Sequence, residues 1–310
     1  MIFWRLFRER REAMRTDELN LKIKAILGEG AKKVLVRMLF PWRNSFLLFN
    51  ISDRAKKNRV NLNYWNESDN LGDTLSPVIV NYMLQDKGIG EDQRISECRH
   101  LYAVGSVLTA GIQDATVWGS GILNTKLCYR LENRKLDVRA VRGPVTRAML
   151  MDYGYEVPQV YGDPAILLPE IYTPANVKKT HRFGLIAHKD YDLSKAMQSG
   201  SVSDQIKMLN IRTADYRKFV DELNSVETVI SSSLHGLILA EAYGIPAVLL
   251  KPQIDIVKYS DYYYSTGRID FPVANTVEEA FQIRPAEVPD MSRLRKELKS
   301  AFPYDLYRQK

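Results

Sequence analysis

Few residues in this sequence could build a disulfide framework, a metal site or a membrane span. Cys98 and Cys128 are the two cysteines among 310 residues, and neither has the CxxC spacing of a structural zinc site. The four histidines show no HExxH or similar ligand spacing, so a metal site is not expected. No run approaches the ~20 apolar residues that cross a bilayer, and arginines interrupt the apolar N-terminus where a signal peptide would be continuous.

The basic charge of the chain is concentrated near its N-terminus. Residues 1–59 contain 15 Lys and Arg against 6 Asp and Glu, whereas the remaining residues contain 29 against 31. The first residues mix aromatic side chains with arginines, which suits an anionic membrane surface; an amphipathic helix packed on the protein explains them equally well. We therefore expect a cytoplasmic protein without a nucleic-acid partner, whose segment 1–59 either contacts the inner face of the membrane or packs on the protein.

From residue 60 onward, strand-like and helix-like patterns alternate, which is typical of helices packed on parallel sheets. The chain is longer than single hydrophobic cores usually grow, so two domains are expected. The predicted strands lie at Val60–Trp65, Leu101–Val107, Ala115–Trp118, Leu136–Val141, Phe183–Ala187, Ile206–Ile211, Thr228–Ile230 and Ala247–Leu250. The predicted helices lie at Ser76–Gln85, Val145–Tyr153, Ala214–Asn224, Leu237–Tyr243, Thr276–Phe281 and Ser292–Ser300.

The residues between the two alternating units predict a domain boundary. Leu168–Asn176 contains two prolines and no clear period, so we interpret it as a connector. The predicted architecture is α/β, with one Rossmann-like domain at 60–168 and a second at 177–275. Residues 276–310 are helical in pattern, and we expect these C-terminal helices to pack back on the first domain.

The most informative stretch is residues 227–250, where a short β-branched run ends in Ser231, Ser232 and Ser233 and a helix begins around His235. The first amides of a helix lack intrahelical partners, and its dipole is positive there, so this junction is suited to binding an anion. Ligands bind at the carboxyl ends of parallel strands, where these residues fall. From the residues alone, two interpretations stay open: a ligand site with a titratable imidazole, or serines that cap a helix beside an ordinary histidine.

A second candidate lies directly after the first predicted strand. Ser76-Pro77 fits a helix start, with serine as the cap and proline in the first turn, which leaves Asn70, Gly72 and Asp73 in the preceding loop. Glycine there allows a ligand to approach the backbone closely, so we expect a binding role. Asp73 acting as a simple helix cap is the alternative.

Three further groups follow strands of the first unit. Gly119, Ser120 and Gly121 could let a ligand lie against the backbone, although glycines at strand ends are common in turns. Arg142 is expected at the carboxyl end of the sheet, where its guanidinium could bind a carboxylate or phosphate; a surface arginine paired with a local acid is the alternative. Asp163 either lies near the same site or forms an ordinary Asp-Pro turn.

The ordered set of these motifs resembles the polysaccharide pyruvyltransferase family over about residues 60 to 275. The resemblance implies two Rossmann-like domains in a GT-B-like arrangement, with an interdomain cleft. It also implies transfer of pyruvate from phosphoenolpyruvate to two hydroxyls of a sugar, forming a cyclic ketal, with no metal or redox cofactor. The expected acceptor is a sugar of a surface polysaccharide, such as a capsule, or of its lipid-linked precursor. A GT-B-like glycosyltransferase using a nucleotide sugar and a non-catalytic polysaccharide-assembly protein are the alternatives.

Carried over to this sequence, the family's leucine-histidine-glycine motif falls on Leu234, His235 and Gly236. The resemblance implies that His235 contacts the donor, and Arg142 corresponds to the arginine that precedes a glycine in the family pattern. Many members have an arginine before this motif, where this chain has Ser233. The cations that could replace it are Arg139, Arg147, Lys251 and Lys258.

The chemistry of the donor fits these residues. Phosphoenolpyruvate carries a carboxylate and a phosphate, so its site needs two anion-binding groups, and the helix N-terminus after Ser231–Ser233 together with Arg142 could supply them. His235 is the candidate general acid that protonates the methylene carbon, because histidine exchanges protons near neutral pH.

Overall fold

The computed structural model describes residues 57–65, 69–111, 113–132, 134–175, 177–188, 191, 205–253 and 255–308. Most of segment 1–59 lies outside these ranges, so its membrane contact stays a prediction. Across the described residues, every helix is too short or too polar to cross a bilayer.

Helices and strands alternate along the described chain. The strands are β1 (Val60–Asn63), β2 (Arg99–Tyr102), β3 (Ala115–Trp118), β4 (Leu136–Ala140), β5 (His181–Ile186), β6 (Ile206–Met208), β7 (Val226–Ser231), β8 (Ala247–Leu250) and β9 (Val273–Ala274). The helices are α1 (Leu71–Gln85), α2 (Pro144–Asp152), α3 (Leu168–Ile171), α4 (Tyr216–Asn224), α5 (Leu234–Ala242), α6 (Val257–Ser265), α7 (Val277–Ala280) and α8 (Ser292–Ser300). Short 3₁₀ helices lie at Thr125–Leu131, Pro164–Leu167 and Tyr304–Tyr307.

The described strands form two parallel sheets, which confirms the predicted α/β class. The first has the order β1-β2-β3-β4 and the second β6-β5-β7-β8-β9. In the second sheet β7 lies between β5 and β8, with Val229 paired to Ala247, and all four residues of β8 are buried. Burial on both faces explains the continuous apolar runs of these strands.

The first helix begins earlier than the sequence predicted. A start at Ser76 is wrong: α1 begins at Leu71, and Asp73 lies in its first turn with Pro77 in its interior. The apolar stripe of Leu71, Leu75 and Ile79 continues across the proline, and all three side chains are fully buried. Pro77 removes one backbone hydrogen bond and crowds the carbonyl four residues earlier, and packing of the stripe outweighs that cost.

The predicted connector Leu168–Asn176 is partly helical. A 3₁₀ turn at Pro164–Leu167 leads directly into α3, and Leu167 and Leu168 are fully buried. Pro164 and Pro169 are compatible with this arrangement because each lies in the first turn of its helix, where an N–H would have no intrahelical partner. Burial of the apolar residues therefore decides the local structure.

The remaining differences concern strand ends and one helix. The predicted strands Leu101–Val107 and Ile206–Ile211 end at Tyr102 and Met208. Helix α6 was not predicted, because its buried surface includes Lys258 and Asp261, which hide the apolar period.

The largest apolar core includes residues from both halves of the described chain, such as Leu71 and Leu237. The C-terminal residues return to the first sheet. The Trp118 indole donates to the Leu298 carbonyl at 2.9 Å, and the Phe302 ring packs edge-on against Trp118. Arg139 on β4 bonds Asp305 at 2.9 Å.

Candidate active site

His235 is the second residue of α5, immediately after the turn that ends β7. All nine residues of this helix are buried, and His235 is 8% exposed. A helix that is apolar on every side lies inside the core. The imidazole is therefore held in a nearly dry environment, and its neighbours determine what it can do.

The face of the imidazole packs against Gly72, in the first turn of α1. A Cβ added at Gly72 would lie 1.8 Å from His235 Nδ1, 2.3 Å from Cγ and 2.4 Å from Cε1. An atom that met Nδ1 from outside, in the plane of the ring, would lie much further from Cγ and Cε1 than from Nδ1. The three distances differ little, so Gly72 contacts the flat face of the ring and not its edge. Any side chain at Gly72 would occupy the space of the imidazole, which explains why glycine is needed within this helix.

The edge of the imidazole faces a buried carboxylate. His235 Nε2 lies 3.7 Å from Asp163 Oδ2, and the Asp163 side chain is fully buried. Neither of these two atoms has a hydrogen-bond partner among the described residues. The other oxygen, Oδ1, accepts a 3.1 Å bond from the Ala165 amide and caps the 3₁₀ turn. Capping thus fixes the carboxylate while its second oxygen points towards the histidine.

A second carboxylate lies on the same side of Gly105 as the imidazole. A Cβ added at Gly105 would lie 3.3 Å from Asp73 Oδ1 and 4.0 Å from His235 Nε2. Asn70 donates to the other Asp73 oxygen at 2.5 Å. Gly105 was not expected at the site, because residues 101–107 have the pattern of a strand. Strand β2 ends at Tyr102, and the Gly105 φ of +94° marks the turn that follows.

The serine turn is organised mainly by bonds within the protein. Ser231 Oγ donates to the Ser233 carbonyl at 2.9 Å and accepts from the Ser233 amide at 3.0 Å. Ser232 Oγ accepts from the His188 amide, and its carbonyl accepts from Tyr259 Oη at 2.6 Å. Ser233 is the N-cap of α5 but forms no side-chain capping bond. The first amides of α5 therefore lack the acceptor that a capping serine usually supplies.

The rotation of α5 is fixed by Glu241 near its C-terminal end. The Glu241 carboxylate accepts two 2.7 Å bonds from Arg268 and a 2.5 Å bond from Tyr262 Oη. Burial raises the pKa of Tyr262, so this phenol stays protonated and continues to donate. A bidentate pair restrains orientation as well as distance, and this restraint is transmitted along the helix to His235.

Arg142 lies in a different setting from the one expected. It was expected to offer its guanidinium to an anion at the carboxyl end of the sheet, but its side chain is fully buried and bonded within the protein. Its donors bind Asp261 at 3.0 Å, Ser106 at 2.5 Å and the Ile122 carbonyl at 2.8 Å. The acid is not a local surface partner either, because Asp261 belongs to α6 and also accepts from Thr146 of α2. Arg142 thus links the two halves of the chain.

The Gly119–Gly121 turn supports the backbone around this pair. Gly119 has a φ of +83°, and a Cβ there would lie 2.4 Å from Pro164 Cδ. Ser120 is fully buried and donates to the Gly105 carbonyl at 2.9 Å. A Cβ at Gly121 would lie 2.3 Å from the Arg142 guanidinium carbon. A ligand contact at this turn stays a prediction.

The four cations proposed to replace the arginine before Leu234 differ in their surroundings. Arg139 bonds Asp137 and Asp305, Arg147 bonds the Val157 carbonyl, and Lys251 bonds Asn275. Lys258 is 5% exposed, and its Nζ lies 5.1 Å from the centroid of the Tyr259 ring. Lys258 belongs to α6, and this helix contacts the serine turn because Tyr259 Oη donates to the Ser232 carbonyl.

Among the described residues, no cluster of three or more His, Cys, Asp or Glu could hold a metal ion.

Comparison with known proteins gives a consistent result. The family model for polysaccharide pyruvyl transferase matches residues 70–253, which include Gly72, Asp163 and His235. The chain is 25% identical over 221 residues to an uncharacterised protein of Acanthamoeba polyphaga mimivirus, covering 68% of this chain and 76% of that protein. It is 25% identical over 211 residues to the succinoglycan biosynthesis protein ExoV of Rhizobium meliloti, covering 66% of this chain and 64% of ExoV, which is less than two thirds of that relative.

Among solved structures, the chain is similar to a functionally uncharacterised protein from Klebsiella pneumoniae. The two share 14% sequence identity with a TM-score of 0.44, over 75% of this chain and 93% of that one.

Proposed function

The chain belongs to the polysaccharide pyruvyl transferase family, and we propose that it transfers pyruvate from phosphoenolpyruvate to two hydroxyls of a sugar as a cyclic ketal. Membership makes the protein a transferase. The observation that carries the proposal is the buried imidazole of His235, held between Gly72 and Asp163 at the N-terminus of a helix. This arrangement combines a proton donor with an anion-binding helix end.

In the proposed reaction, His235 donates a proton to the methylene carbon of phosphoenolpyruvate, which becomes a methyl group. Positive charge then develops at the adjacent carbon, and a sugar hydroxyl attacks it and loses its proton. Phosphate leaves with the electrons of its C–O bond, and the second hydroxyl attacks the cationic carbon that remains, loses its proton to the departing phosphate and closes the ketal. A general acid within reach of the carbon contributes about 10²- to 10⁴-fold to such a step.

The donor needs two groups that bind its negative charges. We place one anion at the first amides of α5, which Ser233 leaves without a side-chain acceptor. We assign the second to Lys258, since α6 contacts the serine turn through Tyr259 and Ser232. Arg142 is buried against Asp261 and supports the site rather than binding the donor.

We also propose that the two sheets form two Rossmann-like domains in a GT-B-like arrangement. The contribution of residues from both halves to one site supports a ligand cleft between them. Asp73, which Asn70 holds by a hydrogen bond, is the proposed contact for an acceptor hydroxyl. Asp73 lies on the same side of Gly105 as the imidazole, so an acceptor bound there would approach the protonated donor.

The proposed acceptor is a sugar of a surface polysaccharide such as a capsule, or of its lipid-linked precursor. The similarity to a protein named for succinoglycan biosynthesis supports a polysaccharide acceptor. The basic residues of segment 1–59 would suit contact with the anionic inner face of the membrane, where a lipid-linked sugar is made. We therefore propose that the activity is cytoplasmic.

The test is phosphate release from phosphoenolpyruvate in the presence of candidate acceptor glycans, with mass spectrometry of the products for the ketal. We expect His235→Ala to abolish release and His181→Ala, at the start of β5, to leave it unchanged. Lys258→Met should raise KM for phosphoenolpyruvate. Transfer from a nucleotide sugar without phosphate release from phosphoenolpyruvate would refute the proposal and favour a glycosyltransferase.

A further inference from the structure

Two buried polar atoms face each other without a hydrogen bond, which is uncommon in a folded protein. They are Oδ2 of Asp163 and Nε2 of His235, 3.7 Å apart. An unpartnered buried polar group opposes folding, so its presence calls for an explanation. Hydrogen bonds of catalytic groups are often long before a ligand binds and shorten in the complex.

The carboxylate of Asp163 cannot easily turn away from the histidine. Its Oδ1 is engaged by the Ala165 amide, and the Gly162 amide before it donates to the Val141 carbonyl at 3.0 Å. Gly162 has a φ of +134°, and a Cβ there would lie 2.7 Å from Leu298 Cδ1. The backbone is thus fixed on both sides of Asp163, and Oδ2 is directed at His235.

The imidazole is equally restrained. Gly72 covers one face of the ring, and the bidentate bond of Glu241 to Arg268 fixes the rotation of α5. Because Gly72 contacts the flat of the ring, it does not block the in-plane direction of Nδ1. The two ring nitrogens therefore have different surroundings: Nε2 faces a carboxylate, and Nδ1 faces away from it.

We infer that Asp163 is a positioning residue for His235. The Asp163 carboxylate keeps a proton on Nε2 of the imidazole, which leaves Nδ1 to exchange protons with the reactants. This inference rests on the proposed function. Protonated His235 donates from Nδ1 to the methylene carbon, and the neutral ring keeps its proton on Nε2. The attacking hydroxyl then returns a proton to Nδ1. Asp163 accepts from Nε2 throughout and touches no substrate, as in other carboxylate–histidine pairs.

The conservative variant Asp163→Asn tests this role. The amide oxygen can still accept from Ala165, so the local fold is retained, but its NH₂ group now faces His235 Nε2. A donor in that position favours the tautomer with the proton on Nδ1. We expect kcat to fall by about 10²- to 10⁴-fold, with KM for phosphoenolpyruvate nearly unchanged.

Asp215→Asn is the matched control. Asp215 also caps a helix with Oδ1, accepting from the Lys218 amide, but it is exposed and belongs to α4. We expect its kcat to equal that of the unmodified protein. The second readout is the ¹⁵N NMR spectrum of the histidine side chains, with His235 assigned through His235→Ala. The neutral Nε2–H tautomer is expected in the unmodified protein and the Nδ1–H tautomer in Asp163→Asn.

The two proposals fail in different ways. If the unmodified protein releases no phosphate with any acceptor, the proposed function is wrong, and the NMR arm still reports the tautomer. If the protein is active and Asp163→Asn keeps its kcat, the positioning role is overturned. An Nδ1–H tautomer in the unmodified protein overturns it as well, even where Asp163→Asn does not fold.

Discussion

Replacing Gly72 by alanine tests whether the imidazole of His235 occupies the position that the structure assigns to it. In an unobstructed helix, glycine to alanine stabilises by about 0.5–1 kcal/mol, because alanine loses less conformational freedom. At Gly72 the new methyl group would lie 1.8 Å from His235 Nδ1. Non-bonded heavy atoms prefer ~3.5–4.0 Å, so the ring or the helix must move by roughly 1.7–2.2 Å.

The magnitudes follow from this displacement. Overpacking a buried site costs about 1–3 kcal/mol, so with the helix gain the net destabilisation is between zero and about 2.5 kcal/mol. That is less than the stability of a typical domain, about 5–15 kcal/mol, so the variant should remain folded. A displacement of about 1 Å at a reacting group can cost ~10²-fold in rate. We expect kcat to fall at least that far.

The assay is phosphate release from phosphoenolpyruvate, with urea denaturation to measure stability. Gly90→Ala is the control, since a Cβ there meets nothing within 4 Å. In a His235→Ala background the clash is absent, so Gly72→Ala should become stabilising by about 0.5–1 kcal/mol. Unchanged kcat in Gly72→Ala, or the same destabilisation in both backgrounds, would refute the packing of the imidazole on this helix.

Three further predictions concern the fold that supports the site. Arg142→Met leaves the buried carboxylate of Asp261 without its cation, so it should lower the unfolding free energy measured in urea by about 3–5 kcal/mol. Arg139→Met removes a more exposed ion pair and should lower it by at most about 1 kcal/mol. Equal losses would contradict the burial of the first pair. Iodoacetamide should modify the exposed Cys98 in the native protein but Cys128 only after unfolding. The reason is that burial raises the pKa of Cys128 to about 11, which suppresses its reactive thiolate. Peptide mapping that finds both cysteines modified in the native protein would contradict this. Leu298→Ala should lower the unfolding free energy by about 2–5 kcal/mol, and a loss below 1 kcal/mol would argue against packing of the C-terminal helix on the first sheet.

Part of the fold could be predicted where glycine or proline bounds a short apolar run. The strands Ala115–Trp118 and Ala247–Leu250 and the helix Ser292–Ser300 lie where the sequence placed them. Prediction failed where tertiary packing decides the structure. Pro77 suggested a helix start, yet the buried stripe around it extends the helix by more than a turn. Helix α6 was missed because charged residues take part in its buried surface.

The candidate site was predictable in its residue types but not in its pairings. His235 was singled out because it follows a strand at a helix start, and Asp163 because it follows the last strand-like run of the first unit. Their contact at 3.7 Å joins positions 72 residues apart, and no local pattern reports such a distance. Gly72 was attributed to a loop that approaches a ligand, whereas its hydrogen atom leaves room for the imidazole. A lone glycine does not reveal which of these uses applies.

The site depends on how the two halves of the chain are held against each other. His235 belongs to the second half, and Gly72 and Asp163, which face its ring, belong to the first. The buried pair of Arg142 and Asp261 joins the same halves. A buried ion pair contributes little net stability compared with apolar side chains of similar volume, but each charge requires its partner in one position. The pair therefore acts mainly by fixing the alignment of the halves. An imidazole that must remain within a few ångströms of a carboxylate on the opposite half depends on that alignment more than on the total stability of the protein.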